Sequence, residues 1–256
     1  NPVGIVDLHG SLRTNILRFF FFFTSIRYKK IHKGRNEKRL LTRKSNKVLA
    51  PLLPVIYRYG DVLRKIGFPV DLSDHKFPLK PIIPKKFNDS FFNSKLKWIG
   101  IAPFAKHIGK IYPLDLTQKV ISFLQRENQV FLLGSDGDEK KKLEVWEKAY
   151  SNVHSLAGKY SFYEQLKIIS NLDIMISMDS ANGHIAANYD IPVITIWGVT
   201  HPYAVFSPWN QNSERSILAD RSLYPFIPTS VYGNICPKGY ENCMRTITPE
   251  KVIEVV

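Results

Sequence analysis

The sequence contains little cysteine and no long apolar run. Only two of its 256 residues, Cys236 and Cys243, are cysteines. A pair without a second Cys or His pair beside it is a poor zinc site, and we interpret both as reduced thiols. The stretch that comes closest to a membrane span, residues 16–26, is interrupted by Arg18 and is far shorter than the roughly 20 residues that a bilayer requires. Neither a structural zinc site nor a membrane-spanning helix is therefore predicted.

The standard nucleotide-binding signatures are also missing. The chain has no GxGxxG and no GxxxxGKS/T motif, and Gly134 and Gly137 only bound a short loop. Because these glycine patterns hold the phosphates in dinucleotide-binding and P-loop proteins, a nicotinamide-dependent dehydrogenase and a P-loop ATPase are both disfavoured.

Acidic residues are scarce relative to basic ones. The chain carries 36 Lys and Arg against 22 Asp and Glu, a net charge of +14. Residues 27–47 contain ten of these cations and one carboxylate, directly after five phenylalanines at 19–23. Basic residues beside an aromatic-rich helix favour contact with an anionic membrane or acceptor; buried rings and a solvated charged face are the alternative. No nucleic-acid-binding motif accompanies the charge, so a nucleic-acid partner is not predicted.

The two halves of the chain differ in regularity. From residue 97 onward apolar strands alternate with amphipathic helices, which predicts a doubly wound α/β domain. The elements predicted there are strands 98–102, 129–133, 173–178 and 192–197, and helices 114–127, 138–149, 161–170, 181–189 and one that begins at Pro249 with Thr248 as its cap.

The first half is less regular. Residues 68–93 are rich in Pro, Asn, Asp and Ser, a composition that predicts a linker. Before this linker the pattern predicts strands at 3–8 and 25–30 and helices at 11–23 and around 55–66. The tail from 224 to 243 is predicted to be irregular.

The most informative segment is residues 173–202, where two apolar strands flank a helix. Two buried strands joined in this way form one βαβ unit of a parallel sheet. In such sheets the ligand lies beyond the carboxyl ends of the strands, and the polar clusters 179–184 and 200–202 both fall at such ends. The first cluster also opens a helix, whose free N–H groups and positive dipole end suit a phosphate. The sequence therefore predicts an anion site.

Several motifs of the chain resemble those of one family. The segment carries, in order, Asp179-Ser180, His184, Pro192-Val193 and Thr200-His201-Pro202. This order is similar to the donor-binding segment of the family 9 glycosyltransferases, which are the lipopolysaccharide heptosyltransferases and their relatives. Further stretches that resemble the family in the same order lie at residues 6–13, 98–113, 130–139 and 155–161.

The resemblance implies an α/β fold of the GT-B type, in which two Rossmann-like domains face each other across a cleft. Residues 1–93 would belong to an N-terminal, acceptor-side domain that ends in the Pro-rich linker, and residues 94–256 to the domain that binds the nucleotide sugar. The implied reaction is an inverting, metal-independent transfer of heptose from ADP-heptose to a lipopolysaccharide core acceptor. No cofactor or metal is expected, because Asp136-Gly137-Asp138, formally a DxD pair, follows a strand where such enzymes hold no metal.

The resemblance also assigns roles to residues. Lys110 corresponds to the lysine of a K-aromatic-P motif that contacts donor phosphate, where a cation offsets charge on the departing diphosphate; a solvated loop lysine is the alternative. Asp179 either caps the helix or binds sugar hydroxyls, and Tyr160 would cover the nucleobase. The acidic loop 136–139 either reaches the ribose or is solvated. The implied donor-binding residues are Lys110, Tyr160, Asp179, Ser180, Ala181, Asn182, Gly183, His184, Thr200 and His201.

The acceptor side is less well defined. His9 and Arg13 would face the acceptor, and an arginine there suits a carboxylate or phosphate. The chain has no initiator Met and begins almost directly on a strand. We therefore expect an early part of the first domain to be missing, together with the aspartate that serves the family as catalytic base, and we assign no base.

The expected partners are a nucleotide sugar and a glycolipid acceptor at the inner membrane surface, with the protein in the cytoplasm or peripheral on the inner face of that membrane. Three alternatives stay open. The first is a relative that uses another nucleotide sugar for a different surface glycan, the second a non-catalytic fragment that binds nucleotide, and the third a basic module that binds membrane or nucleic acid.

Overall fold

A computed structural model describes residues 4–83 and 96–256, which separate into two compact units. The described residues of Asn1–Leu41 and Asn46–Lys76, with Tyr203–Phe206, form the N-terminal unit. Those of Thr42–Ser45, Phe77–Pro202 and Ser207–Val256 form the C-terminal unit. The predicted domain boundary between residues 93 and 94 lies outside the described residues.

The N-terminal unit contains a two-stranded parallel sheet and three helices. Strand β1 (Gly4–Asp7) pairs in parallel with β2 (Arg27–Lys30), and the helices are α1 (Leu12–Phe21), α2 (Arg35–Thr42) and α3 (Val55–Ile66). The sequence predicted all of these except α2. That helix buries only Leu41 and lies in the basic segment, so it has no repeating apolar face for a periodicity argument to detect.

The C-terminal unit is built on one sheet of six parallel strands. Their order is β5-β4-β3-β6-β7-β8, and all five pairings are parallel. The strands are β3 (Lys97–Ala102), β4 (Asn128–Leu132), β5 (Val153–Ser155), β6 (Ile174–Met178), β7 (Val193–Trp197) and β8 (Ser216–Leu218). The predicted doubly wound α/β architecture is confirmed. The two strands that were not predicted, β5 and β8, have three residues each, too few to show a pattern.

Helices cover both faces of this sheet, as its alternating side chains require. One apolar core contains buried residues of α4 (Leu114–Leu124), α5 (Asp138–Ala149) and α8 (Pro249–Ile253). The other contains residues of α6 (Phe162–Ile169) and α7 (Ala181–Ala187). The predicted cap of α8 is confirmed, because Thr248 accepts the N–H of Lys251 at 3.3 Å. No helix within the described ranges is long and apolar enough to cross a membrane.

The strand order reverses at β3. From β3 the chain runs outward through β4 to β5, then returns to β6 on the opposite side of β3 and continues to β7 and β8. In open α/β sheets, ligands bind in the crevice beyond the carboxyl ends of the strands at such a switch point. The residues that follow β3 and β6 are therefore the first place to look for a site.

Candidate functional site

A largely buried ion pair lies at the switch point. Lys110 ends a short 3-10 turn, Ile108–Lys110, in the segment after β3, and Asp179 directly follows β6. Lys110 Nζ is 3.0 Å from Asp179 Oδ2, and the two side chains are only 14% and 6% exposed. Removing two charges from water is costly, and their attraction often does no more than offset that cost. The ion pair is therefore weak evidence that these residues stabilise the fold. Its position at the switch point favours a role in ligand binding.

Tyr112 fixes the position of the segment that carries Lys110. Its N–H donates to Met178 Sδ at 3.2 Å, and its hydroxyl donates to the carbonyl of Ile247 at 2.8 Å. Burial raises the pKa of the Tyr112 phenol, so the hydroxyl stays protonated and remains a donor. Tyr112 therefore anchors the segment that carries Lys110 beside the end of β6.

Two glycines allow the loops after β3 and β7 to pack closely. The Val199 N–H donates to the carbonyl of Gly109 at 3.0 Å. A Cβ at Gly198 would lie 2.2 Å from the Gly109 oxygen, and a Cβ at Gly109 would lie 2.6 Å from Val199 Cγ2. Since neither position accepts a side chain without movement of its neighbours, glycine at both brings Lys110 close to the end of β7.

Thr200 carries a buried hydroxyl in the loop that follows β7, at the carboxyl edge of the sheet. The residue is 1% exposed, and its Oγ1 has no hydrogen-bond partner among the described residues. Native proteins seldom leave a buried hydroxyl unpaired, because desolvation without a partner costs about 1–3 kcal/mol. The Thr200 hydroxyl is therefore a candidate ligand contact. His201, the next residue, is also buried.

The start of α7 bears on the alternative that Asp179 caps this helix. The N-cap residue is Ser180, and its side chain does not accept a helix N–H. Asp179 lies one residue before this N-cap, and its carboxylate pairs with Lys110; its binding of sugar hydroxyls stays a prediction. Ser180 Oγ instead lies 3.2 Å from Ser177 Oγ. Gly183 lets the helix approach β6, since a Cβ there would lie 3.2 Å from Ser177 Oγ.

His184 lies on α7 within the electrostatic field of the ion pair. Burial is the largest effect on its pKa and lowers it; the Lys110 ammonium lowers it further, and the Asp179 carboxylate opposes both. The imidazole is therefore neutral at pH 7, able to donate from one ring nitrogen and accept at the other. His184 is therefore close enough to Lys110 and Asp179 for their charges to affect its pKa.

Tyr160 lies farther along the sheet. It follows β5, which β4 separates from β3, and packs half-buried against the apolar core on the α6 and α7 face. The neighbouring Lys159 pairs with Glu147 at 2.5 Å. In the acidic loop, Glu139 accepts the N–H of Ser135 at 2.7 Å. Contact of Tyr160 with a base, or of the loop with a ribose, stays a prediction.

The remaining predicted site residues are placed as follows. Ala181 is exposed and Asn182 half-buried in the first turn of α7. His9 and Arg13 are exposed residues of the N-terminal unit, and the His9 N–H donates to Asp7 Oδ1 at 3.0 Å. Within residues 4–83 and 96–256, no three His, Cys, Asp or Glu side chains cluster as a metal ion would require. Metal independence stays a prediction.

The segment that sequence reasoning missed is the irregular tail after β8. The Thr229 N–H donates to the Val199 carbonyl at 2.9 Å, and a Cβ at Gly233 would fall within 2.5 Å of both Cγ and Cδ of Lys110. No sequence pattern links position 233 to position 110, because the contact depends on tertiary packing between distant parts of the chain.

The fold and this site place the chain among the doubly wound α/β proteins with a candidate anion site at the switch point. Residues 5–228 match the family model described as glycosyltransferase family 9 (heptosyltransferase). The chain belongs to this family.

Curated relatives are similar over part of their length. Lipooligosaccharide heptosyltransferase 2 of Campylobacter jejuni is 24% identical over 190 residues, which is 72% of this chain and 57% of the relative. Lipopolysaccharide heptosyltransferase 3 of Escherichia coli is 32% identical over 119 residues, which is 45% of this chain and 34% of the relative. The matched part of the chain therefore spans little more than half of the first relative and about a third of the second.

Solved structures share the fold. E. coli heptosyltransferase WaaC with ADP-2-deoxy-2-fluoro heptose has a TM-score of 0.63 at 15% identity, covering 100% of this chain and 71% of that one. The dodecameric, iron-containing heptosyltransferase TibC in complex with ADP-D-beta-D-heptose has a TM-score of 0.51 at 16% identity, covering 91% of this chain and 59% of that one. These similarities agree with the predicted relation to GT-B enzymes.

Proposed function

We propose that the protein is a glycosyltransferase that moves a heptose from ADP-heptose to a lipopolysaccharide core acceptor. Family membership supports the reaction class, and the two similar solved structures carry ADP-heptose or an analogue. The observation that carries the proposal is the Lys110–Asp179 pair at the switch point, with the Thr200 hydroxyl after β7, which has no partner in the described part of the chain. A cation and a hydroxyl donor at this edge suit the diphosphate of a nucleotide sugar.

The proposed chemistry is a single displacement with inversion. An acceptor hydroxyl attacks the anomeric carbon, the bond from that carbon to the diphosphate oxygen breaks, and the nucleoside diphosphate leaves with the electron pair. Lys110 would stabilise the charge that develops on this leaving group without the aid of a metal. Asp179, which lies 3.0 Å from the Lys110 ammonium, would accept hydrogen bonds from hydroxyls of the sugar. The proton of the acceptor hydroxyl passes to a base that we do not assign.

Calorimetric titration of the chain with ADP, UDP, GDP and CMP tests the donor site. We expect selective binding of ADP, weakened about tenfold or more by Lys110→Ala, since a lost charge-assisted contact costs roughly 1.5–3 kcal/mol. Asp179→Asn is expected to weaken binding less, because it affects the lysine only indirectly. Lys119→Ala removes an exposed charge from α4 and is expected to leave ADP affinity unchanged.

The other possible results of the nucleotide titration lead to different conclusions. A preference for UDP or GDP would retain the donor site and transfer the function to another nucleotide sugar and another surface glycan. Binding of ADP without sugar transfer, in an assay supplied with ADP-heptose and acceptor, would favour a non-catalytic nucleotide binder. A folded chain that binds none of the four nucleotides would refute the donor site.

We also propose that the N-terminal unit contacts the anionic membrane surface that holds the acceptor, with the protein at its cytoplasmic face. Helix α1 has no buried residue, Phe19 and Phe20 in its last turn and Phe22 and Phe23 just after it are exposed, and the basic segment 27–47 follows in the sequence. An aromatic, apolar surface flanked by cations suits an anionic lipid interface.

Vesicle flotation tests this contact. We expect the chain to float with vesicles that contain anionic lipid and not with purely zwitterionic ones, and to float less as salt increases because the attraction is screened. Replacing Phe22 and Phe23 with serine is expected to abolish flotation. Failure of the wild type to float would contradict membrane contact, and equal flotation of wild type and variant would contradict a role of the two rings in it.

A further inference from the structure

The segment 229–234 lies against the methylene groups of the Lys110 side chain, which we call its stem. Hydrogen bonds from the N–H groups of Thr229 and Ser230 to the Val199 carbonyl, at 2.9 and 3.4 Å, hold its start at the end of β7. A Cβ at Gly233 would lie 2.1 Å from Lys110 Cδ and 2.5 Å from Lys110 Cγ. The backbone of Gly233 therefore packs directly against the Lys110 side chain and leaves no room for a side chain of its own.

Ser230 gives this segment a defined shape. It is buried, and its Oγ accepts the N–H groups of Tyr232 and Gly233 at 3.3 and 2.9 Å and donates to Asn234 Oδ1 at 2.9 Å. Gly233 adopts a φ of +81°, a conformation that L side chains rarely adopt. Glycine is thus required at position 233 for its backbone conformation and, separately, for its contact with Lys110.

We propose that Gly233 is a positioning residue for the donor phosphate: its backbone confines the Lys110 stem so that the ammonium stays at the switch point, beside Asp179, where it meets the diphosphate. A free lysine side chain samples many rotamers, and confining it before the ligand arrives removes part of the entropic cost of binding. This inference rests on the proposed function, because it assumes that Lys110 binds the phosphates of the donor.

Gly239 provides a matched control for the test. It has a φ of +88°, but a Cβ there would meet nothing within 4 Å. Gly233→Ala and Gly239→Ala therefore introduce the same backbone strain, and only the first displaces Lys110. In calorimetry we expect Gly233→Ala to weaken ADP binding about tenfold and to leave adenosine binding unchanged, because adenosine has no phosphate. Gly239→Ala is expected to bind both as the wild type does.

A double substitution distinguishes a loss of Lys110 positioning from general damage to the fold. Lys110→Ala removes Cγ and Cδ, so adding Gly233→Ala to it is expected to weaken ADP binding no further and to reduce stability only as much as Gly239→Ala does. If Gly233→Ala proves too unstable to assay, Ser230→Ala loosens the same segment without a new contact and is expected to weaken ADP binding two- to threefold, again without affecting adenosine.

The two proposals fail in different ways. If Lys110→Ala itself binds ADP as the wild type does, the donor site is refuted. If Lys110→Ala weakens ADP binding but Gly233→Ala behaves like Gly239→Ala, the donor site stands and the positioning role is refuted. Equal loss of ADP and adenosine affinity in Gly233→Ala also refutes positioning, because it indicates a general disturbance of the fold.

Discussion

Replacing Lys110 with methionine is expected to destabilise the C-terminal unit by about 3 kcal/mol, because removing one partner of a buried ion pair leaves the other charge buried and unpaired. Methionine keeps most of the length of the side chain, so the loss comes from charge more than from packing. Urea unfolding measures the difference. Lys141→Met is the control, because Lys141 pairs with Asp138 on the surface, where both side chains are more than three-quarters exposed; we expect little change there.

A double-mutant cycle assigns this loss to the pair. Asp179→Asn alone leaves Lys110 without its carboxylate, and Lys110→Met with Asp179→Asn leaves neither charge. We expect the double variant to be more stable than the sum of the single losses predicts, by about 2 kcal/mol. Additive losses would mean that the two side chains do not interact in solution and would contradict the site described here.

The pKa of His184 supplies an independent measurement on the same variants. The Lys110 ammonium lowers this pKa and the Asp179 carboxylate raises it. Lys110→Met is therefore expected to raise the pKa of His184, and Asp179→Asn to lower it, in NMR titrations. Because burial depresses the folded-state pKa, His184 contributes stability above its unfolded value of about 6.5 and loses it as the pH falls through the folded pKa. A shift of the same sign in both variants would contradict the geometry.

The sequence predicted the central part of this fold because the pattern there is strong. The β6–α7–β7 unit has two apolar strands of five residues, and helix α5 lies at the predicted residues 138–149. The elements that were missed have physical reasons. Strands β5 and β8 are too short for alternation, and α2 has only two apolar residues, which are adjacent.

The sequence predicted which residues belong to the candidate site, but it did not predict which of them lie next to each other. The carboxyl ends of β3 and β6 placed Lys110 and Asp179 at the same edge of a sheet, yet the order of elements along the chain does not specify which strands are neighbours. Only the strand order makes β3 and β6 adjacent and therefore makes the two side chains an ion pair. Gly233 was not predicted at all, since its contact with Lys110 joins loops more than a hundred residues apart in the sequence.

Gly198→Ala is expected to cause a loss of stability of several kcal/mol. Its Cβ would lie 2.2 Å from the Gly109 carbonyl oxygen and 2.7 Å from Met244 Sδ. Backbone atoms cannot rotate away as a flexible side chain does, so the loops after β3 and β7 must separate, and overpacking of this kind costs about 1–3 kcal/mol or more. Chemical denaturation measures the loss, and ADP titration is expected to show weaker binding because Lys110 moves with Gly109.

Gly137→Ala tests whether this loss is specific to loop packing. Gly137 has a φ of +86° with nothing within 4 Å of a Cβ, so alanine there adds backbone strain without a collision. We expect Gly137→Ala to cost about 1 kcal/mol, less than Gly198→Ala. If Gly198→Ala costs no more than Gly137→Ala, the two loops tolerate separation, and the close packing of Gly109 against Gly198 is not what holds Lys110 at the switch point.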